Sequence, residues 1–210
     1  MNEANKLKPI LFNTEMVRSI LDGRKTQTRR IVKPQPTYPR WNNIGWLGWD
    51  DGHGYRMKEP CAVGDVLWVR ETWRKDVGRY MYRANYMDNE KFYCNGKEVH
   101  IRWSPSIHMP REAARIFLEV KNVRVERLRR IDAEGIRAEG ITEFTKDGKL
   151  FKYSTQFGDM PTIPWADMPE TPEMAFEMLW DSTIKSEERD NYGWDANPWV
   201  WVIEFERIKK

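Results

Sequence analysis

Between Gly23 and Arg30 the chain reads GRKTQTRR, which gathers one lysine, three arginines and two threonine hydroxyls into a short segment. Arg24 to Thr28 are all polar and cannot supply both faces of a packed strand, yet they run directly into Ile31 and Val32. The segment therefore reads as the lip of a site. A lysine whose pKa is lowered by burial can take the proton of a nearby hydroxyl, and a carboxylate from elsewhere can pass that proton to a leaving amine. Lys25 and Thr28 are the residues suited to that chemistry. Residues three apart on a regular strand point to opposite faces, so the two can converge only if Lys25 lies in the turn before the strand, as Gly23 allows. The same cations could instead meet phosphate, or protect a charged sheet edge.

The elements that must position these residues follow from periodicity. Thr14 to Leu21 predicts a helix with Met16, Val17, Ile20 and Leu21 on one stripe, Thr14 as its cap and Gly23 as its stop. A strand follows over Thr28 to Val32, and then the turn-rich stretch Lys33 to Pro60, read as an insertion or long loop. GDVLWVRETW, Gly64 to Trp73, gives a turn and a buried strand. Arg70, Glu71 and Arg74 break its apolar run, so it ends either at a polar cavity or in an Arg–Glu pair at the sheet edge. Tyr80 to Tyr86 is the next expected strand, with Phe92 to His100 pairing with it around Asn95-Gly96. Ile116 to Leu128 alternates as a long strand with a slip at Asn122 that predicts a bulge or turn. Asp132 to Glu139 is a short helix capped by Asp132 and stopped by Gly140. Phe144 to Met168 has no clear period and reads as a further insertion. Thr171-Pro172 opens a helix that faces inward through Phe176, Leu179, Trp180, Thr183 and Ile184. Trp199 to Ile208 closes the chain with Trp199, Trp201, Ile203 and Phe205 on a core face. Few short helices and many strands predict an α+β fold on a mixed or antiparallel, barrel-like sheet.

Composition narrows the function classes. The net charge is only +3, from 35 basic and 32 acidic residues, so global charge does not announce nucleic acid. Basic residues are nonetheless concentrated in Arg24 to Arg40 and in Arg111 to Arg130. Tryptophans cluster in Trp41 to Trp49 and Trp194 to Trp201, as core anchors or as a platform for stacking bases. His53, His100 and His108 lie in separate segments and Cys61 and Cys94 have no ligand spacing, so no metal is expected. No glycine-rich phosphate loop appears, and no cofactor is implied. MNEANKLKPI lacks the apolar run of a signal peptide and no stretch is apolar enough to cross a bilayer, so neither membrane nor export is expected and a cytoplasmic location is. Nothing fixes an oligomeric state.

Taken in order, GRKTQTRR after a short helix, GDVLWVRETW, the AEGI of Ala138 to Ile141, and PWVWVIEF from Pro198 to Phe205 resemble the ASCH domain family of the PUA-like superfold. The resemblance is to its longer bacterial and phage members, whose opening pattern this chain carries from Pro9 to Arg30. It implies a single domain over residues 1–210, a small mixed β-barrel flanked by short helices, with expansions at about 33–60, 75–110 and 143–168. It also implies a cleft suited to RNA or a modified base. One small bacterial member is similar to an amidohydrolase of N4-acetylcytidine. That analogy makes Thr28 the nucleophile, Lys25 its activator and Glu139 the proton shuttle, with Glu71 as the alternative carboxylate.

Three functions follow as expectations. The first is a module that binds RNA, single-stranded nucleic acid or a modified nucleoside, with Arg24, Arg29, Arg30 and Arg70 as anion contacts and Trp73 as a stacking residue. The second is an amidohydrolase of N4-acylated cytidine-like substrates using Lys25, Thr28 and Glu139. The third is a phage accessory protein that engages a protein partner through exposed aromatics.

Overall fold

Along the chain the strands are β1 (Leu7–Leu11), β2 (Gln27–Ile31), β3 (Tyr38–Asn42), β4 (Gly45–Asp50), β5 (Val66–Arg70), β6 (Trp73–Asp76), β7 (Arg79–Tyr82), β8 (Phe92–Cys94), β9 (Lys97–Val99), β10 (Phe117–Arg127), β11 (Thr142–Thr145), β12 (Phe151–Ser154) and β13 (Trp199–Ile208). The helices are α1 (Thr14–Leu21), α2 (Ala133–Ala138), α3 (Pro172–Ser182) and α4 (Arg189–Tyr192). The structure is a computed structural model that describes residues 6–36, 38–42, 45–50, 58–87, 90–155 and 163–208, with β3 and β4 described as backbone only.

A five-stranded mixed sheet in the order β1-β5-β10-β13-β2 forms the frame. β1 and β5 are parallel and the remaining pairs are antiparallel. β1 and β2 stand at its two edges, and no closed barrel forms among the described residues, so the expected barrel is corrected to an open sheet. Arg30 crosses from one edge toward the other, its Nη2 donating to the Leu11 carbonyl at 2.5 Å.

Both faces of the sheet are buried. One carries Leu67, Val69, Leu118, Val120, Trp201, Ile203 and Phe205 together with Val17 and Ile20 of α1. The other packs Val200 and Val202 against Ile136, Phe176, Trp180 and Ile184, the residues that α2, α3 and the following turn present. β13 is therefore apolar on both sides, which is why its sequence reads as a continuous run rather than a strict alternation. In β10 the register against β13 shifts between Val120 and Asn122, so Lys121 is the extra residue of a bulge, as the slip in the sequence predicts.

Three expectations are revised. The side chain that caps α1 is Asn13, whose carbonyl oxygen accepts from Met16 N at 2.8 Å, not Thr14. The stretches read as loop insertions each contain a two-stranded sheet: β3–β4, then β6–β7 and β8–β9, then β11–β12. β7 pairs with β6, and β8 with β9 around Asn95 and Gly96, so the turn lies where predicted but Phe92 to His100 closes on itself.

Gly140 ends α2 at φ +97°, and a Cβ there would lie 3.0 Å from Ser19 Cβ and 3.3 Å from Lys25 Cβ. Both the conformation and the close approach require glycine. Gly140→Ala is expected to cost about 1–3 kcal/mol or more, seen as a lower urea midpoint with an unchanged slope. An unchanged midpoint would show that α2 and Lys25 are not locked together through this contact.

Candidate active site

Lys25 sits where three elements meet. Arg24 N and Lys25 N both donate to the Ser19 carbonyl of α1, at 2.9 and 3.0 Å. Thr26 N donates to Ala138 O at the end of α2, and Phe205 N of β13 donates to Thr26 O, at 2.9 and 2.8 Å. The residue therefore lies in the turn before β2, the placement its chemistry would require. Its side chain has no exposed surface, and its Nζ donates to Glu139 Oε2 at 2.6 Å and to the Glu139 carbonyl at 3.0 Å. Glu139 is the cap residue that follows α2, and it is also buried. Its other oxygen accepts from Arg29 Nη1 at 3.0 Å, and Arg29 Nη2 donates to Glu126 Oε1 at 2.6 Å. A charged chain thus runs Lys25, Glu139, Arg29, Glu126 beneath α2.

Burial pushes the Lys25 ammonium below the ordinary lysine range. The Glu139 carboxylate opposes that shift, and the nearby Arg30 and Arg29 guanidiniums add to it. A fully enclosed lysine on a carboxylate is a group that can exchange a proton near its neighbour's oxygen.

Thr28 is buried and stands opposite Ile203, on the sheet face that also carries Phe205. Phe12 fills the same face, and both the Lys25 Nζ and the Arg30 guanidinium approach its ring, at 5.9 and 5.1 Å from the centroid. No hydrogen bond joins the Thr28 hydroxyl to Lys25 or Glu139 among the described residues. The structure thus brings Lys25 and Glu139 into contact, and holds Thr28 on the Phe12 side of the strand that follows.

Glu71 is elsewhere. It is buried, and both its oxygens accept from Arg115, Oε1 from Nε and Oε2 from Nη2, each at 2.8 Å. The carboxylate is paired, but with Arg115 rather than with Arg70 or Arg74, and it follows an interior strand rather than a sheet edge. The arginines expected to meet phosphate have internal partners. Arg24 donates to Asp22, to the Gly140 carbonyl and to Thr142. Arg30 donates to Leu11 O, and Arg70 donates to Ile107 O while its guanidinium lies 5.6 Å from the Trp68 ring. Trp73 stacks at a tilt on Tyr80, centroids 5.7 Å apart. Trp201 is a core residue and Trp194 packs edge-on against Phe176, whereas the side chains of Trp41, Trp46 and Trp49 lie outside the described residues.

No family model, curated protein or solved structure matches this chain. The reading of the site therefore rests on its own geometry. Two participants escaped the sequence, Glu126 and Phe12, and so did Arg115 as the partner of the distant Glu71. Glu126 alternates with Arg124 along β10, a two-residue period that marks one charged face but does not say which strand it meets. Two clefts lie along β2, and Lys25, Thr28 and Glu139 line neither of them. Thr26 and Gln27 line one of about 450 Å³, and Arg30 lines another of about 270 Å³ with Pro9, Leu11 and Ile203. Among the described residues no helix is long and apolar enough to cross a membrane, and no group of three or more His, Cys, Asp or Glu gathers as a metal site.

Proposed function

We propose that this chain is an amidohydrolase of an N-acylated nucleobase, of the N4-acetylcytidine type, built on a PUA-like ASCH frame. The observation that carries the reading is the enclosed Lys25–Glu139 contact in the turn that leads into the strand bearing Thr28. A module that only binds a polyanion gains nothing from burying a lysine, and burial of an unneeded ion pair is costly. In the proposed reaction the Thr28 oxygen attacks the acyl carbon while its proton passes to neutral Lys25. The C–N bond breaks as the amine nitrogen takes a proton returned through Glu139. Water then cleaves the acyl-threonine ester, releasing a carboxylic acid and restoring the hydroxyl.

The nucleic-acid reading draws less support, because Arg24, Arg29, Arg30 and Arg70 all donate to internal acceptors. The deciding experiment incubates purified protein with N4-acetylcytidine and follows cytidine and acetate by chromatography. Time-dependent release in a fixed ratio is expected. Absence of turnover, combined with single-stranded RNA binding that weakens steeply with salt, would replace this reading with the binding one.

A further inference from the structure

The charged chain beneath α2 reaches the surface at one end only. Lys25, Glu139 and Arg29 are enclosed, with side chains 0%, 4% and 2% exposed, whereas Glu126 is 19% exposed. The second oxygen of Glu126 accepts from Arg124 Nε at 3.4 Å, and Arg124 also donates to Glu204. We infer that Arg29 and Glu126 are positioning residues for the buried pair: Arg29, braced by Glu126, holds one oxygen of Glu139 so that the other stays on Lys25, and Glu126 balances the charge that Arg29 brings beside the lysine.

The geometry lies in the fork of Arg29. A guanidinium is planar and its N–H directions are fixed, so two acceptors that share one are fixed relative to each other. Nη1 donates to Glu139 Oε1 at 3.0 Å and Nη2 to Glu126 Oε1 at 2.6 Å. The Phe176 ring of α3 lies 5.7 Å from the guanidinium carbon and backs the fork. Glu139 is thereby held at both oxygens, one by Arg29 and one by Lys25, and cannot swing away from Nζ without breaking a charge-assisted bond.

Two cations and two carboxylates alternate along Lys25, Glu139, Arg29 and Glu126, and the alternation sets signs. The charged groups that act on Lys25 are Glu139, Arg30 and Arg29; α1 meets its turn through the Ser19 carbonyl, and Phe12 meets it through its ring. Removing the Glu126 charge leaves an extra positive charge in the enclosure, which disfavours the ammonium form of Lys25. Removing the Arg29 charge leaves an extra negative one, which favours it. Neither change strands a buried ion. In the first, Arg29 keeps Glu139; in the second, Glu139 keeps Lys25 and Glu126 keeps Arg124. A role in folding alone would produce no such reversal of sign.

The consequence for rate rests on the hydrolysis proposed above, whereas the protonation of Lys25 does not, so the lysine is read directly. Protein carrying 13C-labelled lysine is titrated by NMR, with the Lys25 Cε signal assigned by its loss in Lys25→Met. Glu126→Gln is expected to move the Lys25 midpoint down and Arg29→Met to move it up, each by on the order of one pH unit, the scale of one charge acting through a protein interior. Arg29→Lys, which keeps the charge, is expected to stay near the parent value. Should Arg29→Met fail to fold, Arg29→Gln, which keeps a donor without the charge, supplies the same sign. In the hydrolysis assay the rising limb of the pH profile should follow the midpoint in each variant. Opposite shifts in a protein without turnover would uphold this inference and discard the hydrolysis reading; shifts of one sign, or no shift, would overturn it.

Discussion

Lys25→Met is expected to slow release of cytidine from N4-acetylcytidine by about two to four orders of magnitude, the usual loss when a positioned acid–base group is removed. Thr28→Ala, which deletes the oxygen proposed to attack, is expected to leave no acyl-enzyme. Trapping with mass spectrometry reads this directly, through an acetyl adduct on Thr28 in the parent and none in the variant. The pH profile carries the sign. Burial favours neutral Lys25 at lower pH than an ordinary lysine permits, so the parent rate should rise with pH along a limb below the ordinary lysine range, and Lys25→Arg should abolish that limb. Parent-like turnover in Lys25→Met would remove Lys25 from the chemistry.

The second large effect is on stability, and it is asymmetric. Glu139 serves two buried cations, so Glu139→Gln strands charge: Lys25 loses its carboxylate, whereas Arg29 keeps Glu126. Breaking a buried pair in this way costs about 3–5 kcal/mol, or roughly 10 °C in Tm for a chain of this size. Lys25→Met strands nothing, since Glu139 still holds Arg29, and should cost clearly less. The Glu139→Gln penalty should also shrink as pH rises. In the variant the folded-state lysine gives up its proton at lower pH than the unfolded one, so between those two values the unfolded chain binds more protons and stability increases with pH. Equal losses in the two variants, or a penalty indifferent to pH, would show that Lys25 is held by its surroundings rather than by Glu139.

How much of this was legible in the sequence depended on the range of the cause. α1, α2, α3 and β13 follow from periodicity and caps, all of them local. Asn13 displaced Thr14 as the cap because both are competent capping types one residue apart, and only the backbone bend decides between them. The hairpins β3–β4 and β11–β12 were missed because short strands inside turn-rich stretches offer no run of alternation long enough to read, whereas Asn95-Gly96 did mark the turn between β8 and β9. Ion pairs were the least readable. Glu126 meets Arg29 across 97 positions and Arg115 meets Glu71 across 44, and charge alone names no partner at such separations. Glu139 was singled out only through resemblance to a family, and its contact with Lys25 is a fact of tertiary geometry.

The single extra residue in β10 has a further consequence. Up to Val120 the even-numbered side chains, Leu118 among them, join the core that faces α1. Beyond Lys121 it is Val123 and Val125 that pack there, and the even positions Arg124 and Glu126 turn to the opposite side. Lys121 therefore acts as a phase shifter: it converts one uninterrupted strand into two halves with opposite parity. Were the strand regular with Lys121 kept in the ladder, a guanidinium and a carboxylate would turn into the α1 core, and Arg29 would lose its second counter-ion; deleting Lys121 would instead pair Val120 and Asn122 with Phe205 and Glu204 as consecutive residues and leave every side chain on its present face. The bulge, rather than the identity of any neighbouring residue, thus governs which wall of the sheet is charged.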